Sequence, residues 1–101
     1  MIRGTTPIHT FEIPFDVSLI KSGKVVYSQN GQIILDKPIH QCALDGNTIT
    51  LKLTQEETFL FGCTKGLVSI QVRLLTTDEE AIASEELTVD VKRCLDNEVL
   101  V

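Results

Sequence analysis

Apolar and polar residues alternate in two long stretches of the C-terminal half, between positions 67 and 91. Apolar side chains occupy every second position: Val68, Ile70, Val72 and Leu74 in the first stretch, and Leu87, Val89 and Val91 in the second. A period of two is typical of strands with one face in the core and one in water. The acidic segment Asp78-Glu79-Glu80 separates the stretches, so the pattern predicts one long β-hairpin. Because an isolated hairpin is marginal in water, the remaining chain must cover its apolar face.

Five shorter segments with strand-like patterns precede this hairpin. They span 8–15, 24–28, 32–37, 39–44 and 48–54. Pro14 cannot donate a ladder hydrogen bond, so we expect the first strand at a sheet edge. Asn30-Gly31 tolerates positive φ at both positions and predicts a type I′ turn between the second and third strands. Together the segments predict an all-β fold, an antiparallel immunoglobulin-like β-sandwich of about seven strands.

Two segments are predicted to contain short helical turns. Asp16 is placed to cap a single turn, which Gly23 would end in a left-handed conformation. Thr54 and Glu57 have the spacing of a capping box, which predicts one or two helical turns through position 60 and one short helical crossover between the sheets. Phe59 and Phe61 are then expected to pack beneath the sheets.

The chain is long enough for a single domain, 1–101, with an arm at 1–7 and a tail at 94–101. It has 101 residues, of which 43% are hydrophobic, an ordinary globular composition. The arm is polar, so we expect it to be loose. The tail ends in the apolar residues Val99, Leu100 and Val101, preceded by Leu95. Two interpretations stay open: the tail folds back on its own sandwich, or it docks on a neighbouring subunit.

The charge pattern argues against two classes of partner. The formal net charge is −5, and the nine Lys and Arg residues are scattered along the chain. Nucleic-acid binding needs a cationic face, and an anionic membrane surface attracts basic segments, so we expect neither partner. No apolar run approaches the ~20 residues that span a bilayer. The first seven residues lack the apolar region of a signal peptide, so we expect synthesis in the cytoplasm without secretion by that route.

The histidines and cysteines show no pattern of a metal site. His9 and His40 are the only histidines, and neither belongs to a motif such as HExxH, so structural roles are expected. The three cysteines, Cys42, Cys63 and Cys94, have no CxxC spacing, which argues against a zinc site and a disulfide framework. Three reduced and mostly buried thiols are expected instead. Cys94 follows two basic residues, which is only a weak sign of a reactive thiolate.

Acidic clusters at 56–57, 78–80 and 85–86 are better explained by capping, solvation and edge protection than by catalysis. Strict alternation back from Val91 would point Glu85 into the core. A β-bulge near Glu85-Glu86 would instead place Ile82 inside and both carboxylates outside, and this is the interpretation we favour. No acid, base or nucleophile is paired with another. We therefore expect no enzyme, cofactor or small-molecule substrate, and assign no catalytic, cofactor, metal or binding residue.

Several segments together are similar to a known group of proteins. They are MIRGTTPIHTFEIPFDVSLIK, the Asn30-Gly31 hairpin, LTQEETFLF, QVRLLTTDEEAIAS and VKRCLDNEVLV. This pattern covers nearly the whole chain and resembles a family of roughly hundred-residue structural proteins of phages and prophages of Firmicutes. More distantly, it is similar to the N-terminal β-sandwich module of phage baseplate upper proteins. Many family members have a Gly in the turn that is Asp78-Glu79-Glu80 here, which leaves the turn type open.

The resemblance implies a non-enzymatic virion component of the tail, the baseplate or an associated structure. Its partners would be other virion proteins or further copies of itself, contacted through sheet edges and the apolar C-terminus. The alternative is a cytoplasmic protein-binding adaptor of a phage or bacterium.

Overall fold

Two antiparallel β-sheets make up most of the computed structural model, which describes residues 1–84 and 86–101. In these residues there are eight strands: β1 (Ile8–Glu12), β2 (Ile20–Gln29), β3 (Gln32–Pro38), β4 (Ala43–Asp45), β5 (Thr48–Lys52), β6 (Val68–Thr76), β7 (Ala81–Ala83) and β8 (Leu87–Val89). Helical structure is limited there to the 3-10 turns Val17–Leu19 and Ile39–Gln41 and to the helix α1 (Gln55–Thr58). The predicted all-β class is confirmed.

The strand order follows the immunoglobulin-like plan. Sheet one has the order β1-β5-β4, and sheet two has β3-β2-β6, with both β7 and β8 paired to the remaining edge of β6. In immunoglobulin notation β1, β5 and β4 correspond to strands B, E and D, while sheet two corresponds to C′, C, F and G. Sheet two is thus one strand position wider than sheet one.

Inward-facing residues of both sheets form one core. The apolar core residues with at most 2% exposure, two of which (Leu53 and Phe61) lie outside the strands, are Val25, Tyr27, Ile49, Leu51, Leu53, Phe61, Val68, Ile70 and Val72. The Cα atoms span 46 × 30 × 16 Å, and the short dimension fits two layers packed about 10 Å apart. Burying each large apolar side chain is worth about 1.5–3 kcal/mol, so the alternation in the sequence is the main source of stability.

Several local predictions are confirmed. β1 lies at the edge of sheet one, as Pro14 required. Asn30 and Gly31 have φ values of 53° and 76°, the positive pair of a type I′ turn. The capping box is complete: the Thr54 hydroxyl accepts from the Glu57 N–H at 3.2 Å, and the Glu57 carboxylate accepts from the Thr54 N–H at 2.9 Å.

The prediction that Gly23 ends a helical turn is wrong. Asp16 does cap the turn Val17–Leu19 through the Ser18 N–H, but β2 begins immediately at Ile20, and Gly23 lies inside that strand. A Cβ atom at Gly23 would come within 2.6 Å of the Arg73 carbonyl oxygen on β6. Glycine is therefore needed there for the close approach of two strands and not for a left-handed turn.

The predicted fourth strand at 39–44 is mostly wrong. Its first half forms the 3-10 turn Ile39–Gln41 after Pro38, and only Ala43–Asp45 pairs as β4. Pro38 has no N–H to extend the β3 ladder, which explains why the chain turns at this point.

The second half of the long hairpin is divided into two strands. β7 pairs with the end of β6, and β8 pairs with its start. Arg73 pairs with Ala83 on β7 and Ile70 pairs with Leu87 on β8, so the register changes by one residue between the two pairings. The predicted bulge requires such a shift, but Glu85 lies outside the described residues. Ile82 is partly buried and Glu86 is exposed, as that interpretation expects.

The prediction of a loose N-terminal arm is also wrong. The Met1 carbonyl accepts from the Lys92 N–H at 2.8 Å, and the Arg3 N–H donates to the Lys92 carbonyl at 3.0 Å, so the arm runs parallel to the chain after β8. The Gly4 N–H donates to the Thr58 hydroxyl at 2.8 Å, which ties the arm to α1. Backbone groups form the bonds to Lys92, so the polar composition of the arm does not reveal them.

The hairpin tip adopts a turn that favours glycine. Glu79 has a φ of 64°, and its N–H donates to the Thr76 carbonyl at 3.0 Å. A three-residue loop closed by a left-handed residue has this geometry. Glu79→Gly should therefore raise the free energy of unfolding by up to about 1 kcal/mol, measured by urea unfolding. Glu80→Gly, which relieves no positive φ, is the matched control, and an equal gain there would contradict this explanation.

Candidate assembly surface

His9 lies on the core face of β1 and contacts the buried Tyr27. Its Nδ1 is 2.8 Å from the Tyr27 hydroxyl oxygen, and the Tyr27 ring in turn lies 5.9 Å from the Phe61 ring between centroids. Burial, followed by the positive N-terminus at Met1, lowers the pKa of His9. The neutral ring can therefore accept the hydroxyl proton of Tyr27, and burial raises the pKa of that hydroxyl far above its usual value.

Acidification is expected to destabilise the fold through His9. Its lowered pKa means that the unfolded chain takes up the proton more readily. The stability contributed by neutral His9 is therefore complete above about pH 6.5 and lost as the pH falls below that value. Urea midpoints at about pH 7.5 and about pH 5.5 should differ less in His9→Gln than in the unaltered protein. The exposed His40→Gln is the control, and equal behaviour of both variants would contradict the prediction.

A partly buried ion pair lies beside this histidine–tyrosine contact. The Lys37 ammonium is 2.5 Å from the Glu57 carboxylate, and both side chains are less than a fifth exposed. Burial alone would raise the pKa of Glu57, but the hydrogen bonds from Lys37 and Thr54 outweigh it and hold the pKa below its usual value. The pair connects α1 to β3. Because the Glu57 carboxylate also closes the capping box, both of its oxygens already accept a hydrogen bond.

The cysteines are free thiols, but the expectation that they are mostly buried is not met. Cys63 is exposed in a turn, whereas Cys42 and Cys94 are partly buried. Burial raises the pKa of the Cys42 thiol more than the Lys37 charge lowers it. A raised pKa disfavours the thiolate, the form that a nucleophile needs.

The acidic clusters lie apart from one another. The 56–57 cluster belongs to α1, whereas the exposed 78–80 cluster follows the end of β6 at the hairpin tip. Glu79 pairs with Lys21 at the hairpin tip. Within residues 1–84 and 86–101, no three His, Cys, Asp or Glu side chains are close enough to hold a metal ion. No helix of the described chain is long and apolar enough to cross a membrane.

A groove runs between β1 and the β7–β8 edge, on the side of the sandwich where sheet one is narrower. We call it the edge groove. It contains two adjoining hollows of about 380 and 280 Å³. Glu12 and Ser84 line both of its hollows, and its apolar lining includes Phe11, Ile13, Val72, Ile82 and Leu87. Both hollows are lined by Ile13 and Val72, so they share a floor of core residues. The sequence pattern predicted the inward face of each strand but not the gap between their edges.

Leu87 shows that part of the apolar core face of sheet two is exposed in the edge groove. It pairs with Ile70 on β6, and directly paired residues share one face of a sheet. Ile70 is 2% exposed, whereas Leu87 is 52% exposed. The difference arises because sheet one has no described strand opposite Leu87.

The C-terminal tail is only partly folded back. Its backbone at Leu100 forms two hydrogen bonds with the Gln55 side chain on α1, at 2.8 and 3.0 Å. Val99 is partly buried, but Leu95 is 91% exposed and Leu100 is 72% exposed. The contact supports the fold-back interpretation for the end of the tail, while the side chains of Leu95, Leu100 and Val101 remain exposed.

Gln29 is a structural residue that the sequence analysis missed. It is 2% exposed at the end of β2, and its amide NH₂ donates to the carbonyls of Gly62 and Gly66 at 2.6 and 2.9 Å. Its amide oxygen accepts from the Gly62 N–H at 2.8 Å. Next to Asn30-Gly31 it looked like part of a polar turn. The only available signal was the presence of Gly62 and Gly66, which lie 33 and 37 positions later in the sequence.

Comparison of the chain with protein-family models, with curated proteins and with solved structures gives no match. The resemblance to small phage proteins therefore stays a prediction. The edge groove and the tail are two apolar features of the described surface.

Proposed function

We propose that this protein is a non-enzymatic structural component of a phage or prophage virion, in the tail, the baseplate or an associated structure. It acts through contacts with other virion proteins or with further copies of itself. It is made in the bacterial cytoplasm and ends in the particle. The sequence resemblance supports this assignment, and the apolar edge groove is the structural observation that carries it.

The edge groove supports an assembly role because apolar surface that stays exposed in a small domain often marks a protein contact. Leu87, at half exposure on the core face of sheet two, is the clearest case. Glu56 and the 78–80 cluster lie on exposed positions elsewhere, where they help to keep the remaining surface soluble.

The test is the composition of purified particles. Cells that carry the encoding phage or prophage are induced, and particles are purified on a density gradient. Quantitative mass spectrometry should find this protein at a fixed ratio to the major tail proteins through successive gradients. Its loss from the particle fraction, with recovery in the soluble lysate, would contradict the proposal.

A pull-down from uninfected host lysate separates this function from the adaptor alternative. A virion component should retain no stoichiometric host protein, whereas an adaptor should retain one. The Leu87→Asp variant is a control in both experiments, because it changes the edge groove and leaves the opposite edge of sheet two unaltered.

A further inference from the structure

We propose that the edge groove binds the C-terminal tail, residues 94–101, of a second copy of this chain as an added strand beside β1. This inference rests on the proposed function, because it names the contact through which copies assemble. Four features of the molecule support it: an unpaired backbone edge, an uncovered apolar face, a gap of limited width and an exposed apolar segment.

The outer edge of β1 offers unpaired backbone groups. The Ile13 N–H donates to the Asn47 carbonyl, and the Pro7 carbonyl accepts from the Leu53 N–H, so odd-numbered residues bond to β5. In an antiparallel ladder the alternate residues point their N–H and C=O groups the other way. Thr10 and Glu12 therefore direct theirs to the outer edge, where no described strand pairs with them. An extended segment can bond there by strand addition.

The inner face of β7 and β8 supplies the apolar contacts for such a segment. Leu87 and Ile82 pair with the buried Ile70 and Leu74, so both project toward the layer of sheet one. Sheet one ends at β1 and leaves them partly exposed. A strand added to β1 would lie opposite this face, and its inward side chains would fill the two hollows.

The width of the gap limits what can enter. Sheet two extends one strand position beyond sheet one, so a folded sandwich approaching β1 with its own edge would collide with the β7–β8 edge. A single extended segment does not have this difficulty. The occupant is therefore a terminal segment or a loop and not another sheet edge.

The C-terminal tail is the segment of this chain that fits. Eight residues in extended conformation reach about 26 Å, longer than the five-residue β1. Between positions 95 and 101, three of the four side chains on one side of such a strand are apolar, and two of the three on the other side are acidic. The first side carries Leu95, Asn97, Val99 and Val101, and the second carries Asp96, Glu98 and Leu100. The arm at 1–7 is unsuitable because its backbone already bonds to Lys92 and Thr58.

The position of the tail favours exchange between copies. Gln55 holds Leu100 against α1, so the tail lies at the end of the sandwich and not in the edge groove of its own chain. Residues 93–98 form no described backbone hydrogen bond with the two sheets, so the tail can separate without unfolding them. Two copies that exchange tails would form a closed dimer, and one-way insertion would form an open chain.

Sedimentation equilibrium of the full-length protein over a wide concentration range tests the contact. The unaltered protein should show reversible self-association. Leu87→Asp in the edge groove, and the double change Leu95→Asp with Val101→Asp in the tail, should each weaken it roughly tenfold or more. Ile33→Asp on the outer edge of β3, where the side chain is 66% exposed, is the matched control and should stay within about twofold.

Mixing the two impaired proteins gives the decisive result. The Leu87→Asp protein keeps an intact tail, and the tail variant keeps an intact groove. At concentrations where each alone is monomeric, their mixture should form a one-to-one complex through the one remaining contact. Circular dichroism first establishes that both are folded. Folded monomers that fail to combine would overturn the proposal.

Gln55→Ala distinguishes binding of the tail in the edge groove from an exchange in which the tail of one copy binds α1 of the other. Loss of the Gln55 hydrogen bonds frees the tail, so self-association through the edge groove should increase. A decrease would show that the tail binds Gln55 of the second copy and would overturn the groove as its site. An unaltered protein that stays monomeric at millimolar concentration would also overturn it. Particle composition would still decide the proposed function independently.

Discussion

Replacing Gln29 by Glu is expected to lower the free energy of unfolding by roughly 2–6 kcal/mol, since each of the two carbonyls left without a donor costs about 1–3 kcal/mol. The Gln29 amide is buried, and its two N–H groups bond to the carbonyls of Gly62 and Gly66. A carboxylate has the same shape but no donor, so it would place negative charge against two carbonyl oxygens. Because such domains are stable by only about 5–15 kcal/mol, we expect a large decrease in the urea midpoint.

Gln55→Glu is the matched control for this change. Gln55 also holds backbone groups through both ends of its amide, but it bonds to the exposed Leu100 and is itself only partly buried. Water can replace those bonds, so we expect a loss below about 1 kcal/mol. Equal losses in the two variants would show that burial of the Gln29 amide is not what matters.

The pH dependence of the Gln29→Glu variant gives a second measurement. Burial among carbonyls would raise the pKa of the introduced carboxyl above its value in the unfolded chain. The deficit relative to the unaltered protein should then be greatest near neutral pH and shrink as the pH falls toward about 4.3, where the protonated carboxyl can donate again. A deficit that does not change with pH would contradict this account.

Local patterns were sufficient to predict most of the strands. Alternation placed Ile49, Leu51 and Leu53 inside, and all three are at most 2% exposed. The Asn30-Gly31 turn and the Thr54 capping box were predictable for the same reason, since their chemistry lies within a few residues. In each case sequence neighbours determine the geometry.

Features that depend on distant residues were not predictable in this way. Gln29 bonds to glycines 33 and 37 positions away, and nothing near it in the sequence indicates them. The arm bonds to Lys92 through backbone groups, which polar composition does not reveal. The edge groove arises from the difference in width between the two sheets, a property of strand order and not of any one strand.

The edge groove and the stability of the core are linked by one physical fact. Alternation gives every strand an apolar face, but only a facing strand can cover it. Where both sheets are present, Ile70 and Tyr27 are almost fully buried, and where sheet one ends, Leu87 is not. The same pattern that stabilises the domain therefore leaves an apolar surface at its open side, which is why we place the assembly contact there.

Phe61→Ala is expected to be as damaging as the change at Gln29, with a loss of about 3–5 kcal/mol in the free energy of unfolding. Phe61 is fully buried where the chain passes from α1 toward β6, and its ring packs against the Tyr27 ring. Removal would leave a cavity between the two sheets and would remove the support for the His9–Tyr27 hydrogen bond. Urea unfolding followed by circular dichroism measures the loss.

The neighbouring Leu60→Ala distinguishes burial from a general effect of altering this segment. Leu60 is 55% exposed, so its truncation should change the free energy of unfolding by less than about 1 kcal/mol. Phe61→Ala should also weaken near-ultraviolet signals from the Tyr27 ring, because that ring loses its packing partner, whereas Leu60→Ala should not. If the two alanine variants unfolded at the same urea concentration, Phe61 would not be the residue that joins the crossover to the core.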